Sequence, residues 1–238
     1  AYDAFYAYEA PFKVEGNMSK TIKLYRPFAQ VNVGTTTYEV PSLNLAEPLK
    51  VNQSAMRVYG LADTFNTITG EGEGEHEVLF QSNITPNGEA DAEDKMLEVK
   101  DGRYYWLGMN YLIVNGNSDN VKVDMTFHTT HGEINHSVDN VPVKENYRTN
   151  IVGNLLTSST DYEVIVDADW AGEDLAPDAL FLAAANGGEV TLTEDVELTT
   201  PLVVNSEMTI NLNGKTISGK WHKDNGAIIK NSGTLTIT

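Results

Sequence analysis

The chain has 238 residues, with 34 acidic residues against 16 basic ones, a net charge of −18 and no cysteine. This length suffices for one large domain or two small ones, each with its own core. The lack of cysteine excludes disulfide scaffolds, zinc-thiolate sites and thiol nucleophiles, and the acidic balance argues against nucleic-acid binding. The sequence contains no signal peptide and no run of 18 apolar residues, so we expect no membrane-spanning segment in this chain.

The first two thirds of the chain alternate polar and apolar residues in short runs that turn residues separate. Runs with this period of two predict half-buried β-strands. They lie at Thr21–Arg26, Phe28–Val33, Ala55–Tyr59, Glu77–Ser82, Met96–Lys100, Arg103–Val114, Val121–Phe127, Glu133–Asp139, Tyr147–Gly153 and Tyr162–Val166. Many short strands without a strong helix indicate a β-sandwich.

Two of these runs predict which side chains face the core. The first places Val121, Val123, Met125 and Phe127 inward. The second has Tyr104, Trp106, Gly108, Asn110, Leu112 and Val114 on one side, which turns Tyr105 and Tyr111 outward. Outward aromatic rings could stack on sugars, but packing within the sheet is the more common role of such clusters.

The pattern changes near residue 172, where we place a domain boundary. Pro177–Ala185 predicts a helix, because a proline stands near its start and Gly187 and Gly188 follow its end. The predicted domains are therefore a sandwich over residues 1–172 and, over residues 173–238, a capping helix with a truncated β-helix.

The last 50 residues form very short β-runs with polar residues and glycine at the corners. Asn205–Ile210 resembles Asn231–Ile237 with one inserted residue, an offset of about 26 residues. Repeats of this length are typical of solenoids, so the segment predicts a right-handed parallel β-helix whose open end the helix covers. Because only about two coils are present, we expect the native chain to continue past Thr238.

Two long motifs resemble the fimbrillin-like surface proteins of Bacteroides and related bacteria. Lys23–Gly34 reads KLYRPFAQVNVG and is similar to the LKRPFAQINxG segment of that family. Asn140–Thr157 reads NVPVKENYRTNIVGNLLT and is similar to the family's NVPxxxNYRTNIxGxLLT segment, and the opening Tyr2–Ala7 is similar to its DAFxA. The end of the chain resembles the β-helix modules that follow such domains.

The resemblance implies a transthyretin-like antiparallel sandwich at the cell surface, outer membrane-anchored or extracellular, with a role in fimbriae or adhesion. The lipid anchor of the family would lie upstream of Ala1. The partners it implies are surface proteins, glycans or other fimbrial subunits. Arg26 and Arg148 lie in the two motifs, and we expect both to pair with carboxylates of the sandwich.

Several groups of residues are candidates for metal sites. His128, His131 and His136 lie close in sequence, but strand alternation separates them, so surface histidines of a hairpin are the favoured interpretation. The acidic runs Glu71–His76 and Glu89–Asp94 favour solvated loops over calcium binding. Near the boundary, Asp167, Asp169, Glu173 and Asp174 favour an acidic linker over a calcium site.

The sequence thus predicts a non-enzymatic adhesin or fimbria-related structural protein, without catalytic, cofactor-binding or metal-binding residues and without a cofactor. One alternative is the binding domain of a β-helix polysaccharide-degrading enzyme, for which Glu194, Asp195 and Asp224 supply carboxylates. Another is a pilus subunit that assembles by strand exchange.

Overall fold

The computed structural model describes residues 4–9, 13, 16–17, 19–39, 50–82, 96–100, 102–116, 118–158, 160–168, 178–198, 201–219 and 227–238. This part of the chain is mostly β-structure with one helix, in agreement with the predicted class. The strands before the helix are β1 (Ala29–Thr36), β2 (Val51–Leu61), β3 (Thr64–Asn66), β4 (Glu71–Glu73), β5 (His76–Ser82), β6 (Met96–Val99), β7 (Gly102–Leu112), β8 (Ser118–Thr129), β9 (Gly132–Lys144), β10 (Arg148–Gly153) and β11 (Tyr162–Asp167).

Most of these strands form two sheets. The first has the order β11-β10-β1-β7-β6, in which β1 runs parallel to β10 and the other neighbours are antiparallel. The second has the order β5-β2-β8-β9 and is antiparallel throughout. Short strands β3 and β4 pair with each other.

The two sheets enclose one apolar core. β8 contributes the four side chains that the alternation predicts, Val121, Val123, Met125 and Phe127, each at most 2 % exposed. β1 and β10 contribute Val31, Val33 and Ile151 from the opposite sheet. Because alternate residues point to opposite faces, Lys122, Asp124 and Thr126, which alternate with the four buried residues of β8, lie on the outer face of the four-stranded sheet.

Two details of the predicted strands are wrong. Thr21–Arg26 forms no strand, since only Tyr25 makes an isolated bridge, to Tyr6. In β7, the register against β1 shifts between Val33 and Gly34 and leaves Leu107 as a bulge.

The bulge places Tyr105 and Leu107 on the main core, where Leu112 and Val114 also lie, and turns Tyr104 and Trp106 to a smaller cluster elsewhere. The predicted single face of β7 therefore changes side part-way along the strand, because one extra residue reverses the alternation.

The helix α1 (Ala179–Asn186) begins close to the predicted position. Asp178 is its N-cap and accepts a hydrogen bond from the Phe181 amide at 3.0 Å, and Gly187 ends the helix at φ 86°. In the described part of the chain, no helix is long and apolar enough to cross a bilayer. The predicted boundary at residue 172 lies outside the described residues.

After α1, short strands pair in parallel along three ladders. The strands are β12 (Gly188–Thr191), β13 (Val196–Leu198), β14 (Leu202–Val204), β15 (Glu207–Asn211), β16 (Ile217–Gly219), β17 (Ile229–Asn231) and β18 (Thr234–Ile237). The ladders are β12-β15-β18, β13-β16 and β14-β17. Met208 pairs with Leu235, which is the alignment that the sequence repeat predicts once its inserted residue is counted.

The helix joins the coiled segment to the two sheets. On one side Leu180, Ala183 and Ala184 pack on the apolar residues of the coils. On the other side, Phe181 and Ala185 form a cluster with Tyr147 and Val166 of the sheet region, and the rings of Tyr147 and Phe181 lie 5.4 Å apart, edge to face. The helix therefore packs on the coils on one side and, on the other, on a small apolar cluster at the edge of the sheet region.

Candidate functional site

The outer face of the four-stranded sheet carries an ordered array of polar side chains, which we call the polar face. The strand registers arrange its residues in rows: Glu77, Tyr59 and Lys122 in the first, Leu79, Arg57, Asp124 and Ser137 in the second, and Gln81, Ala55, Thr126 and Asn135 in the third. The alternate residues of the same strands, such as Met56 and Val58, are buried on the core side. Period-two alternation therefore creates this face.

Asp124 is the centre of the hydrogen bonds on the polar face. Its Oδ2 accepts from the Tyr59 hydroxyl at 2.9 Å, and its Oδ1 accepts from the Ser137 hydroxyl at 2.7 Å. The Lys122 ammonium lies 3.2 Å from Oδ1 and 5.1 Å from the centre of the Tyr59 ring. Three strands thus hold one carboxylate in a fixed orientation.

These contacts change the acidity of the groups involved. Partial burial alone would raise the pKa of Asp124, but the hydrogen bonds from Ser137, Tyr59 and Lys122 outweigh it and leave the pKa below its ordinary value. The same hydrogen bonds to Asp124 raise the pKa of Tyr59 and of Lys122. Asp124 is therefore an anion at neutral pH, next to a protonated lysine and a neutral phenol.

The remaining rows are also connected. Arg57 Nη1 donates to Glu77 Oε1 at 2.6 Å, and the Thr126 hydroxyl donates to Asn135 Oδ1 at 2.7 Å. Asn135 Nδ2 in turn donates to Glu133 at 2.9 Å. Over the centre of this network lies a shallow cavity of about 530 Å³. The arrangement offers hydrogen-bond donors and acceptors in fixed positions to a molecule that lies on the sheet.

A second cavity, of about 180 Å³, lies where the sheets meet the coils. Lys144 and Asp178 form an ion pair of 3.1 Å on its wall. Burial raises the pKa of Asp119, which also lines it. Residues of β8, of α1 and of the coils line this cavity, so it lies at the junction between the sheets and the coils.

The three histidines do not converge. His128 lies on the outer face, with Nδ1 3.5 Å from Glu133, and His131 is exposed in the hairpin turn. His136 points inward and is only 6 % exposed, with Nε2 2.6 Å from the Leu155 carbonyl oxygen. The prediction of surface histidines is therefore wrong for His136, which lies opposite the buried Met125 in the register of β8 and β9 and shares its core-facing side.

The aromatic residues of β7 are all half-buried rather than divided between core and solvent. Tyr105, predicted to face outward, packs on the main core because of the bulge at Leu107. Tyr111 packs on Phe28 at 5.1 Å between ring centres. Neither ring is therefore exposed as a platform on which a sugar could stack, which was the alternative to packing within the sheet.

Of the two arginines in the family-like motifs, Arg148 pairs with a carboxylate as predicted. Its Nη2 lies 2.7 Å from Asp167 Oδ2, across strands β10 and β11. The guanidinium of Arg26 lies 4.8 Å from the centre of the Phe5 ring. Asp167, weighed as a calcium ligand, is thus engaged in the pair with Arg148.

The other acidic candidates are dispersed. Glu71–Glu73 is a short strand and not part of a loop, and Asp195 accepts a hydrogen bond from the Thr216 amide at 2.8 Å. Among the residues that the structure describes, no group of three acidic or histidine side chains could hold a metal ion. The predictions for Glu89–Asp94, Asp169, Glu173, Asp174 and Asp224 lie outside the described residues.

The polar face was missed as a site by the sequence interpretation. Its signal is the polar half of the Val121–Phe127 alternation, Lys122, Asp124 and Thr126. What the sequence lacks is the register that brings Arg57 and Ser137 beside them.

A sequence profile of DUF6562, a family of unknown function, matches residues 1–213. The chain belongs to this family. The DUF6562 match covers the two sheets, α1 and the coil strands through β15. No curated protein matches the sequence.

Among solved structures, the chain is similar to a Bacteroides ovatus ATCC 8483 protein named provisionally as a cell adhesion protein. The two are 10 % identical, with a TM-score of 0.31, and the match covers 62 % of this chain and 46 % of the other. The chain thus spans less than half the length of that protein.

Proposed function

We propose that the chain is a non-enzymatic cell-surface protein, an adhesin or fimbria-related structural protein that acts through protein or glycan contacts. The observation that carries this proposal is the polar face, where mutual hydrogen bonds hold charged and polar side chains around a cavity of about 530 Å³. Side chains that are already ordered lose little conformational entropy when a partner binds.

The arrangement of the two family-like motifs supports a fimbrillin-like sandwich. Gln30–Gly34 of the first motif pairs in parallel with Arg148–Val152 of the second, at the centre of the five-stranded sheet. Asn32 Nδ2 also donates to Asn150 Oδ1 at 2.8 Å, between residues 118 positions apart. The motifs therefore have a physical reason to occur together in one chain.

The coiled segment is proposed to begin a right-handed parallel β-helix. Three parallel ladders and the packing of α1 on the apolar residues of the first coil support this interpretation. In this proposal the sheets and α1 form a base from which the stack of coils extends at the cell surface.

The proposal predicts binding without turnover. The full chain, labelled with a fluorophore, should bind intact bacterial or epithelial cells saturably, and excess unlabelled chain should displace it. In parallel, incubation with plant, bacterial and host polysaccharides should release no reducing ends. Absence of displaceable binding to any cell, or release of reducing ends, would overturn the proposal.

A further inference from the structure

We propose that the polar face binds a neutral saccharide, with Arg57, Asp124 and Lys122 hydrogen-bonded to its hydroxyl groups and Leu79 against its C–H surface. This inference rests on the proposed function, because it names the class of ligand that the same site would take. Four properties of the face favour such a ligand: its paired charges, its hydrogen-bonding groups, its apolar side chain and its size.

In the three rows of the polar face the two cations and the two anions pair with each other, and Glu133 beside Asn135 adds one more carboxylate. Arg57 pairs with Glu77 and Lys122 with Asp124, in a chain whose net charge is −18. An anionic ligand would approach against the negative potential of the chain and would find both cations already paired. The paired cations and the acidic surroundings therefore favour a neutral ligand over an anionic one.

The hydrogen-bonding groups suit a polyol. A sugar hydroxyl both donates and accepts, so it needs donors and acceptors close together. The guanidinium of Arg57 has five N–H donors, and the contact with Glu77 uses Nη1. The Asp124 carboxylate and the Asn135 amide supply acceptors on the neighbouring strands, roughly 5 Å away at each step across the sheet.

A large apolar side chain, Leu79, lies within the polar array. Leu79 is 46 % exposed and lies opposite Arg57 in the register of β2 and β5. A pyranose ring presents C–H groups on its faces and hydroxyl groups at its rim, so an apolar side chain among hydrogen-bonding groups matches both parts. The same pairing of apolar surface with a few fixed polar groups characterises small-molecule sites in general.

The size of the cavity is also suitable. Its volume of about 530 Å³ falls within the range of roughly 300–1,000 Å³ that ligand sites usually have. The junction cavity, at about 180 Å³, is below that range. The polar face is therefore the better candidate of the two for a saccharide of a few residues.

The test begins with an array of neutral and acidic oligosaccharides probed with the full wild-type chain. Calorimetry then measures the affinity of the neutral oligosaccharide that binds most strongly. Arg57→Gln and Asp124→Asn should each weaken that affinity about tenfold or more, since each removes hydrogen bonds to a charged group. Gln81→Ala, an exposed position at the edge of the face, should weaken it less.

Arg103→Gln is the matched control. Arg103 is also an exposed arginine paired with a glutamate, Glu98 at 3.4 Å, but it lies on β7 in the other sheet. The affinity of the Arg103→Gln variant for the oligosaccharide should equal that of the wild type within about twofold. Urea unfolding of every variant should verify that it is folded.

Each other outcome has a definite meaning. Binding of acidic oligosaccharides alone overturns the inference, as does neutral binding that Arg57→Gln, Asp124→Asn and Gln81→Ala leave unchanged. Displaceable binding to cells without binding to any oligosaccharide overturns the inference but leaves the proposed function standing. If the chain binds neither cells nor any oligosaccharide, the inference and the proposed function are both overturned.

Discussion

Glu39 is a buried carboxylate, 5 % exposed, that ties the end of β1 to the segment after β10. It accepts a hydrogen bond from the Leu156 amide at 2.8 Å and others from the hydroxyl groups of Thr35 and Thr157. Three donors around one carboxylate satisfy a group that would otherwise be costly to bury. The sequence shows only an acidic residue after a strand, because two of its three partners, Leu156 and Thr157, are more than 110 positions away.

Removing this carboxylate should destabilise the fold. Glu39→Ala leaves the buried Leu156 amide without its acceptor, so the free energy of unfolding should fall by about 1–3 kcal/mol. Urea unfolding, monitored by circular dichroism, measures the change in the free energy of unfolding. Glu98→Ala, which removes an exposed partner of Arg103, should change it by less than about 0.5 kcal/mol. Equal effects of the two substitutions would contradict this role of Glu39.

The stability that Asp124 contributes should depend on pH. The pKa of Asp124 is lower in the folded chain than in the unfolded one, so ionised Asp124 stabilises the fold above the unfolded value, about 3.9. This contribution should disappear as the pH falls through the folded pKa. Asp124→Asn should therefore destabilise the chain at pH 7 and have a smaller effect near pH 3, by urea unfolding. The same effect at both pH values would contradict the assignment.

At the scale of elements, period-two alternation predicts most of the strands because one face of each is buried. It fails where a strand lacks a partner or changes register. Thr21–Arg26 alternates well, yet only Tyr25 forms a bridge, since alternation does not provide a neighbouring strand. In β7 the bulge at Leu107 reverses the two faces, and a bulge leaves no clear mark in a sequence without an aligned partner.

The same region of β1 and β7 allows a matched pair of glycine substitutions. A Cβ on Gly34 would lie 2.9 Å from Tyr104 Cβ and 3.1 Å from Leu97 Cδ2, whereas on Gly108 it would meet nothing closer than 3.8 Å. Gly34→Ala should therefore lower the free energy of unfolding by about 1–3 kcal/mol through overpacking. Gly108→Ala should be nearly neutral.

Thermal and urea unfolding of the two glycine variants check this difference. Comparable stability of the Gly34 and Gly108 variants would show that the contact between β1 and the Tyr104 side of β7 is looser than described. The two variants also test the register of β1 against β7. Gly108 pairs with Val33 on one side of the register shift, and Gly34 pairs with Trp106 on the other side.

At the scale of the whole molecule, α1 connects two regions of different architecture. The Asn186 side chain accepts from the Val166 amide at 2.9 Å and donates to the Val166 carbonyl oxygen at 2.8 Å, as a paired strand would. Asn205, in the coils, donates to Asn120 Oδ1 at 2.7 Å. The sequence predicts the helix and its capping position, but side-chain contacts between distant segments have no local signal.

Loss of the Asn186 contacts should weaken this junction. Asn186→Ala leaves both Val166 groups without their partner, so the free energy of unfolding should fall by about 1–3 kcal/mol. Urea unfolding measures it, with the exposed Glu189→Ala of β12 as the control. A change no larger than that of Glu189→Ala would show that the two Asn186 hydrogen bonds to Val166 do not stabilise the junction.

Because the chain has no cysteine, site-specific labelling can test directly whether the polar face is the contact surface. Thr126→Cys on the polar face and Glu163→Cys on β11 of the other sheet each create a single site for a bulky maleimide. Displaceable binding of the full chain to cells is then measured before and after labelling. We predict that labelling at position 126 abolishes binding and that labelling at position 163 does not. Undiminished binding with the label at position 126 would contradict the account.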